Sequence, residues 1–146
     1  MTLTKRPMHV PHMLNEAYHY ERPVPFSRGT RLDFGGLSAL LISGTASVDE
    51  NGLTVHVGDL RAQVRRTFAN VSELLASEGM AWRDVVHTRI YLRDIDRDYD
   101  VLREERVRFF EEQGVLEYPA SCCVEARLCR PDLLVEMEVI SLREAE

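Results

Sequence analysis

The chain has no long apolar run. Nothing in its 146 residues could span a bilayer, and the N-terminus lacks the apolar core of a secretion signal, because Met8 to Leu14 is broken by His9, Pro11 and His12. It has no excess of positive charge either. A formal net charge of −6 argues against a nucleic-acid groove, where Lys and Arg must outnumber the acids. The local cluster Arg61, Arg65 and Arg66 reads as a solvated helix face. Cysteine is scarce: there are 3, Cys122, Cys123 and Cys129, odd in number and bunched together. Neighbours on a strand point to opposite faces, so Cys122 and Cys123 make a poor disulfide, and a reducing cytoplasm is the expected setting. With no Cys-x-x-Cys pair and no histidine cluster, neither a metal site nor a cofactor is expected. There are no repeats and no low-complexity linker, and the length suits one domain.

What is present is enough apolar sequence, 45% of the chain, to build a sizeable core. Residues 1–24 are rich in Pro, His and Tyr. They read as an irregular N-terminal arm lying on the surface or against a partner, with the domain proper over 25–146. Arg31 to Phe34 and Ser38 to Ser43 flank Gly35-Gly36, a hairpin signal. From Asp59, a plausible N-cap, Leu60, Val64, Phe68, Val71 and Leu75 recur at helical spacing until Gly79. Val85 to Leu92 alternates, with Val86, Thr88, Ile90 and Leu92 on one face and His87, Arg89 and Tyr91 on the other. Asp94 to Gln113 predicts a second helix, with Tyr99, Leu102, Arg106, Phe109 and Phe110 near one stripe, closed by Gly114.

Two more strands complete the chain. In the first, Cys122, Val124, Ala126 and Leu128 form the apolar set, opposite Ser121, Cys123, Glu125, Arg127 and Cys129. After a turn at Arg130-Pro131-Asp132, Leu133, Val135, Met137 and Val139 face one way, and Leu134, Glu136, Glu138 and Ile140 the other. The order β-β-α-β-α-β-β predicts an α+β domain with one sheet and two helices on one face. The uncovered face then carries His87, Arg89, Glu125, Arg127, Glu136 and Glu138 among aliphatic residues. That mixture points to subunits packing there, with polar clefts between them.

This order, with several local motifs, resembles the Rid (YjgF) superfamily. Pro25-Phe26-Ser27-Arg28 stands where the family has Pro-Tyr-Ser-Gln, and Ile42-Ser43-Gly44-Thr45 where it has Val-Ser-Gly-Gln. Gln63 and Asn70-Val71 match its first helix. Val85-Val86-His87-Thr88, Tyr118-Pro119-Ala120 and Val135-Glu136-Met137-Glu138 continue the match. The resemblance implies a homotrimer of Rid/chorismate-mutase-like fold with clefts between subunits. It also implies hydrolysis of reactive enamines or imines, in which an Arg directly after Pro-Ala grips the substrate carboxylate. Here that residue is Ser121, which cannot make a bidentate pair with a carboxylate, and Phe26 replaces a tyrosine. A narrower resemblance links Cys129-Arg130-Pro131-Asp132-Leu133-Leu134-Val135-Glu136 and Ser43-Gly44-Thr45-Ala46-Ser47 to the Rid-like half of chorismatases. There the glutamate matching Glu136 donates a proton, and a cysteine can stand at the place of Cys129.

Glu136 is accordingly the expected catalytic acid, against a plain cross-strand ion pair with Arg127 or Arg89. Cys129 is the candidate nucleophile, whereas Cys123 reads more simply as a buried thiol. Arg127, Arg89 and Arg28 are rival carboxylate anchors. Ser121, Cys123, Phe26, Gly44 and Thr45 are the expected remaining contacts to substrate. The expectation is a cofactor-free homotrimeric enzyme, binding neither nucleic acid nor membrane. It would use acid catalysis on an unsaturated or cyclic small carboxylate, in lyase, hydrolase or isomerising chemistry. An enamine/imine deaminase and a non-catalytic ligand-binding trimer are the alternatives.

Overall fold

A computed structural model describes residues 2–145. Eight main elements follow one another: β1 (Thr4–Pro7), β2 (Gly29–Phe34), β3 (Leu37–Ala46), α1 (Leu60–Ser77), β4 (Val85–Leu92), α2 (Ile95–Glu112), β5 (Ala120–Glu125) and β6 (Val135–Glu144). The strands form one sheet in the order β1-β2-β3-β6-β4-β5. All pairings are antiparallel except β4 with β5, which α2 connects as a parallel crossover. Asp59 caps α1 as expected, its carboxylate accepting a hydrogen bond from the amide of Ala62, and Asp94 caps α2 in the same way through the amide of Arg97. Gly35 and Gly36, at φ of 55° and 78°, close the β2–β3 hairpin in the left-handed region that its turn requires.

The helices cover one face of the sheet. Phe68, Val71, Leu74 and Leu75 of α1 and Leu102 and Phe110 of α2 pack with Leu40, Ile90, Leu92, Met137 and Val139 of the strands. Burying each such side chain is worth about 1.5–3 kcal/mol. The basic cluster of α1 is not merely solvated. Arg61 and Arg65 reach across to the buried Glu105 of α2, which Arg108 also contacts, and Glu105's carboxyl is held below the usual range chiefly by Arg65.

The structure corrects several local readings. The described part of the segment 1–24, residues 2–24, is neither irregular throughout nor external: β1 extends the sheet, and Met8, Val10, Leu14 and Ala17 are in the core. Val86 is exposed, because the β4–β6 register shifts between Val85 and His87 and turns Val85 inward instead. The last two strands do not pair with each other. β4 lies between them, and residues 126–134 pass over its end, where Arg93 donates to the carbonyls of Leu133 and Arg130.

Register against β4 also reverses the expected facing of β5. Ser121 sits beside Thr88, and Cys123 beside Ile90, on the helix side; Cys122 and Val124 face the open side. Glu125 likewise accepts from the amide of Ile95 at the start of α2. As an edge strand, β5 is thinly covered on both faces, so its apolar alternation does not select one. The regular strand ends at Glu125, so the buried Leu128 carries no information about facing.

Two buried amides on α1 fix what lies at the end of the sheet. Asn70 donates to the carbonyls of Ala46 and Val48. Gln63 donates to His56 and Asp132 carbonyls and accepts from the amide of Leu134. Gln63→Ala strands these three main-chain groups and is expected to cost about 2–3 kcal/mol, read as a lowered midpoint in urea unfolding. Among the described residues no helix is long and apolar enough to cross a membrane, and no cluster of His, Cys, Asp or Glu could hold a metal.

Candidate active site

A cavity of about 960 Å³ opens at the Ala46 end of β3. Tyr20, Val24, Phe26 and Arg28 wall it from the segment leading into β2. Leu41, Ser43 and Gly44 of β3 form its floor, Asn51 to Leu53 one rim, and Cys129, Arg130 and Leu133 the other. Glu136 and Glu138 of β6 project into it. The cavity combines apolar and aromatic walls with few polar groups, as small-ligand sites do.

Glu136 is placed by a bulge. Ile42 pairs with Val139 and Thr45 with Met137, so Ser43 and Gly44 together oppose Glu138. The carboxyl of Glu136 folds back over Gly44. A Cβ there would lie 2.0 Å from Oε1, which leaves glycine as the residue that admits it. No side chain or main-chain group hydrogen-bonds this carboxyl among the described residues, and no arginine pairs with it; the ion pair with Arg127 or Arg89 that stood as the alternative to an acid role is absent there. Burial first, and the charge of Glu138 second, push its pKa up.

Arg89 instead lies 3.6 Å from Glu138, whose carboxylate also accepts from the Tyr91 hydroxyl at 2.9 Å. Both partners are about half exposed, so this pair contributes little.

Of the expected site residues, the cavity gathers Glu136, Cys129, Phe26, Arg28 and Gly44. Arg89, Arg127, Ser121, Cys123 and Thr45 do not line it. Ser121 is held on the helix side by Thr88 at 3.1 Å and Arg106 at 3.0 Å. Cys123 packs against the core, where burial raises its thiol pKa and keeps it protonated. Thr45 is buried, with its hydroxyl donating to the Ser43 carbonyl. Arg127 is exposed beyond the end of β5. Cys129 is exposed and makes no hydrogen bond among the described residues; Arg130, its neighbour, is engaged by Gly52 and Thr54. Tyr20 was absent from the sequence-derived set because nothing in its spacing separates it from loop residues.

Residues 22–143 match the family model described as endoribonuclease L-PSP. The chain belongs to this family, the Rid superfamily. Among its Rid relatives is the 3-aminoacrylate deaminase RutC of Acinetobacter baylyi, 32% identical over 117 residues, covering 80% of this chain and 86% of that one. Solved Rid-like structures agree in fold. A Vibrio vulnificus protein superposes with a TM-score of 0.77 at 27% identity, covering 94% of this chain and 99% of that one. The YjgF gene product of E. coli gives 0.76 at 24% identity, covering 95% and 99%.

Proposed function

We propose that this Rid protein is an enzyme that uses Glu136 as a general acid on a small unsaturated or cyclic carboxylate. The observation that carries the reading is the unpaired Glu136 carboxyl, folded over Gly44 and half-buried in a cavity. A carboxyl with raised pKa keeps its proton toward neutral pH and can deliver it. Delivered to the carbon β to nitrogen or oxygen in an enamine or enol ether, it leaves an iminium or oxocarbenium carbon. Water adds to that carbon, and ammonia or an alcohol departs. The apolar side chains on the uncovered sheet face, Leu41, Ile140, Leu142 and Val124, are all exposed and would pack between subunits of a homotrimer, closing the cavity. Light scattering should then return three times the chain mass.

Two substrate sets separate the chemistries. Ammonia release from enamines generated in situ from amino acids marks deamination, the reading favoured by the relative named as a 3-aminoacrylate deaminase. Pyruvate release from an enolpyruvyl ether of the chorismate type marks the cyclic-acid reading, favoured by the presence of Cys129 beside Glu136 in one cavity. Binding without turnover of either set would leave a ligand-binding module.

The pH dependence has a definite sign. The protonated form of Glu136 is the active one, so kcat should fall as pH rises through its raised pKa. Stability follows the same direction: the folded state holds this proton more tightly than the unfolded chain. The contribution is therefore complete below the ordinary glutamate value of about 4.3 and is lost as pH climbs through the folded value. A kcat profile flat over this range would remove Glu136 from the proton transfer.

A further inference from the structure

The fold buries Arg28 without giving it an anion. Only 4% of the residue is exposed. Its Nε donates to the main-chain carbonyl of Asn15 at 2.8 Å, and its Nη2 to the Tyr20 hydroxyl. The guanidinium lies 5.3 Å from the Tyr20 ring centroid and 5.7 Å from that of Phe26. All of these partners are neutral. Nη1 has no hydrogen-bond partner, and no carboxylate comes within ion-pair reach, among the described residues. The buried acid nearest in the chain, Glu16, is paired with His9 at 2.9 Å instead.

Two other buried charges are matched by opposite ones: Glu105 by three arginines and Asp98 by Arg97. A guanidinium taken out of water with no countercharge is costly, and a bound anion offsets that cost.

Its location says where such an anion would sit. Phe26, Arg28 and Thr30 alternate along the chain and all line the cavity, while Gly29 between them faces Met8 in the core. The carbonyl of Arg28 accepts from the amide of Ser43, next to the Gly44 over which Glu136 lies. Cation and acid thus lie on either side of β3: Arg28 just before β2, bonded to Ser43, and Glu136 on β6, folded over Gly44. Ser121, by contrast, is turned away toward Thr88 and Arg106.

We propose that Arg28 is the carboxylate anchor of this cavity. It binds the carboxylate of a small planar acid, and the Tyr20 and Phe26 rings flank the unsaturated part as it meets Glu136. The chemical step rests on the acid-catalysis reading; the binding does not.

Calorimetric titration with benzoate and pyruvate, set against benzamide and pyruvamide, tests it without turnover. The wild type should bind each acid at least roughly 10-fold more tightly than its amide. Arg28→Gln should weaken the acids roughly 10–100-fold and leave the amides unchanged. Glutamine is the residue of the motif Pro-Tyr-Ser-Gln that this stretch resembles, so the backbone should tolerate it. Arg28→Lys keeps the charge but loses the planar fork, and should fall between the two; it serves the same test if the Gln variant does not fold. Equal binding of acid and amide by wild type, no binding of either acid at millimolar concentration, or an acid preference retained in Arg28→Gln would each overturn the anchor. Should Glu136→Gln keep full turnover while acid binding still depends on Arg28, the anchor stands and the catalytic reading falls.

Discussion

Glu136→Gln is expected to cut turnover by about 10²–10⁴-fold while leaving a folded protein, because glutamine keeps the shape and loses the transferable proton. The expectation of intact folding comes from what Glu136 lacks. Among the described residues no hydrogen bond or ion pair depends on its carboxyl. Its environment disfavours the charged form, first through burial and then through the neighbouring Glu138. Removing the ionisable group should therefore hold stability level at low pH and raise it slightly at neutral pH, where the wild type must either keep an awkward proton or bear two negative charges together. Steady-state kinetics with thermal melts at two pH values measure both effects. A variant that turns over as fast as wild type, or one that melts lower at neutral pH, would contradict this account.

Gly44→Ala should separate stability from activity from the other side. Its Cβ would meet Oε1 at 2.0 Å and Cδ at 3.0 Å, and the third-nearest atom, Cγ at 3.5 Å, is also of Glu136. The obstruction is thus the free end of a flexible side chain. The backbone at Gly44 has no positive φ, so alanine brings no conformational strain there, and it stiffens the unfolded chain. The protein should fold with unchanged or slightly raised stability. The carboxyl, however, must swing off its perch, and displacement of a catalytic group by about 1 Å costs on the order of 100-fold in rate. Loss of kcat with an unshifted unfolding midpoint is the expected signature. Retained kcat would mean that the position of Glu136 over Gly44 does not matter to the reaction.

Much of the fold was legible because the governing signals are local. Asp59 and Asp94 cap the helices as their chemistry requires, and Gly35-Gly36 makes its turn wherever the strands go. The two faces of β6 were also readable, since a central strand with one covered face must alternate cleanly. The facing of β5 was not: an edge strand is set by its pairing with β4, a non-local choice that its own side chains barely constrain. Met8, Val10 and Leu14 were hidden among prolines and histidines, because they reach the core from non-periodic backbone. Motif position singled out Glu136 and Gly44, and their contact in the cavity explains the glycine physically. Arg28 was only one rival among several arginines, because a sequence does not reveal which cation ends up without a partner.

The place of β6 in the sheet has a consequence for how the molecule is made. It is the final strand in chain order, yet it lies between β3 and β4. While the polypeptide emerges from the ribosome, the β1-β2-β3 ribbon and the β4-β5 pair have no strand between them, and each presents an open edge. The separation between β3 and β6 along the chain makes this closure a slow, late event. Glu136 arrives on the same strand that performs it. No half-built form of the protein can therefore carry its acid in place: assembly of the sheet and acquisition of the chemistry are a single step. Until that step occurs, the nascent chain is at its most exposed to mispairing with its neighbours.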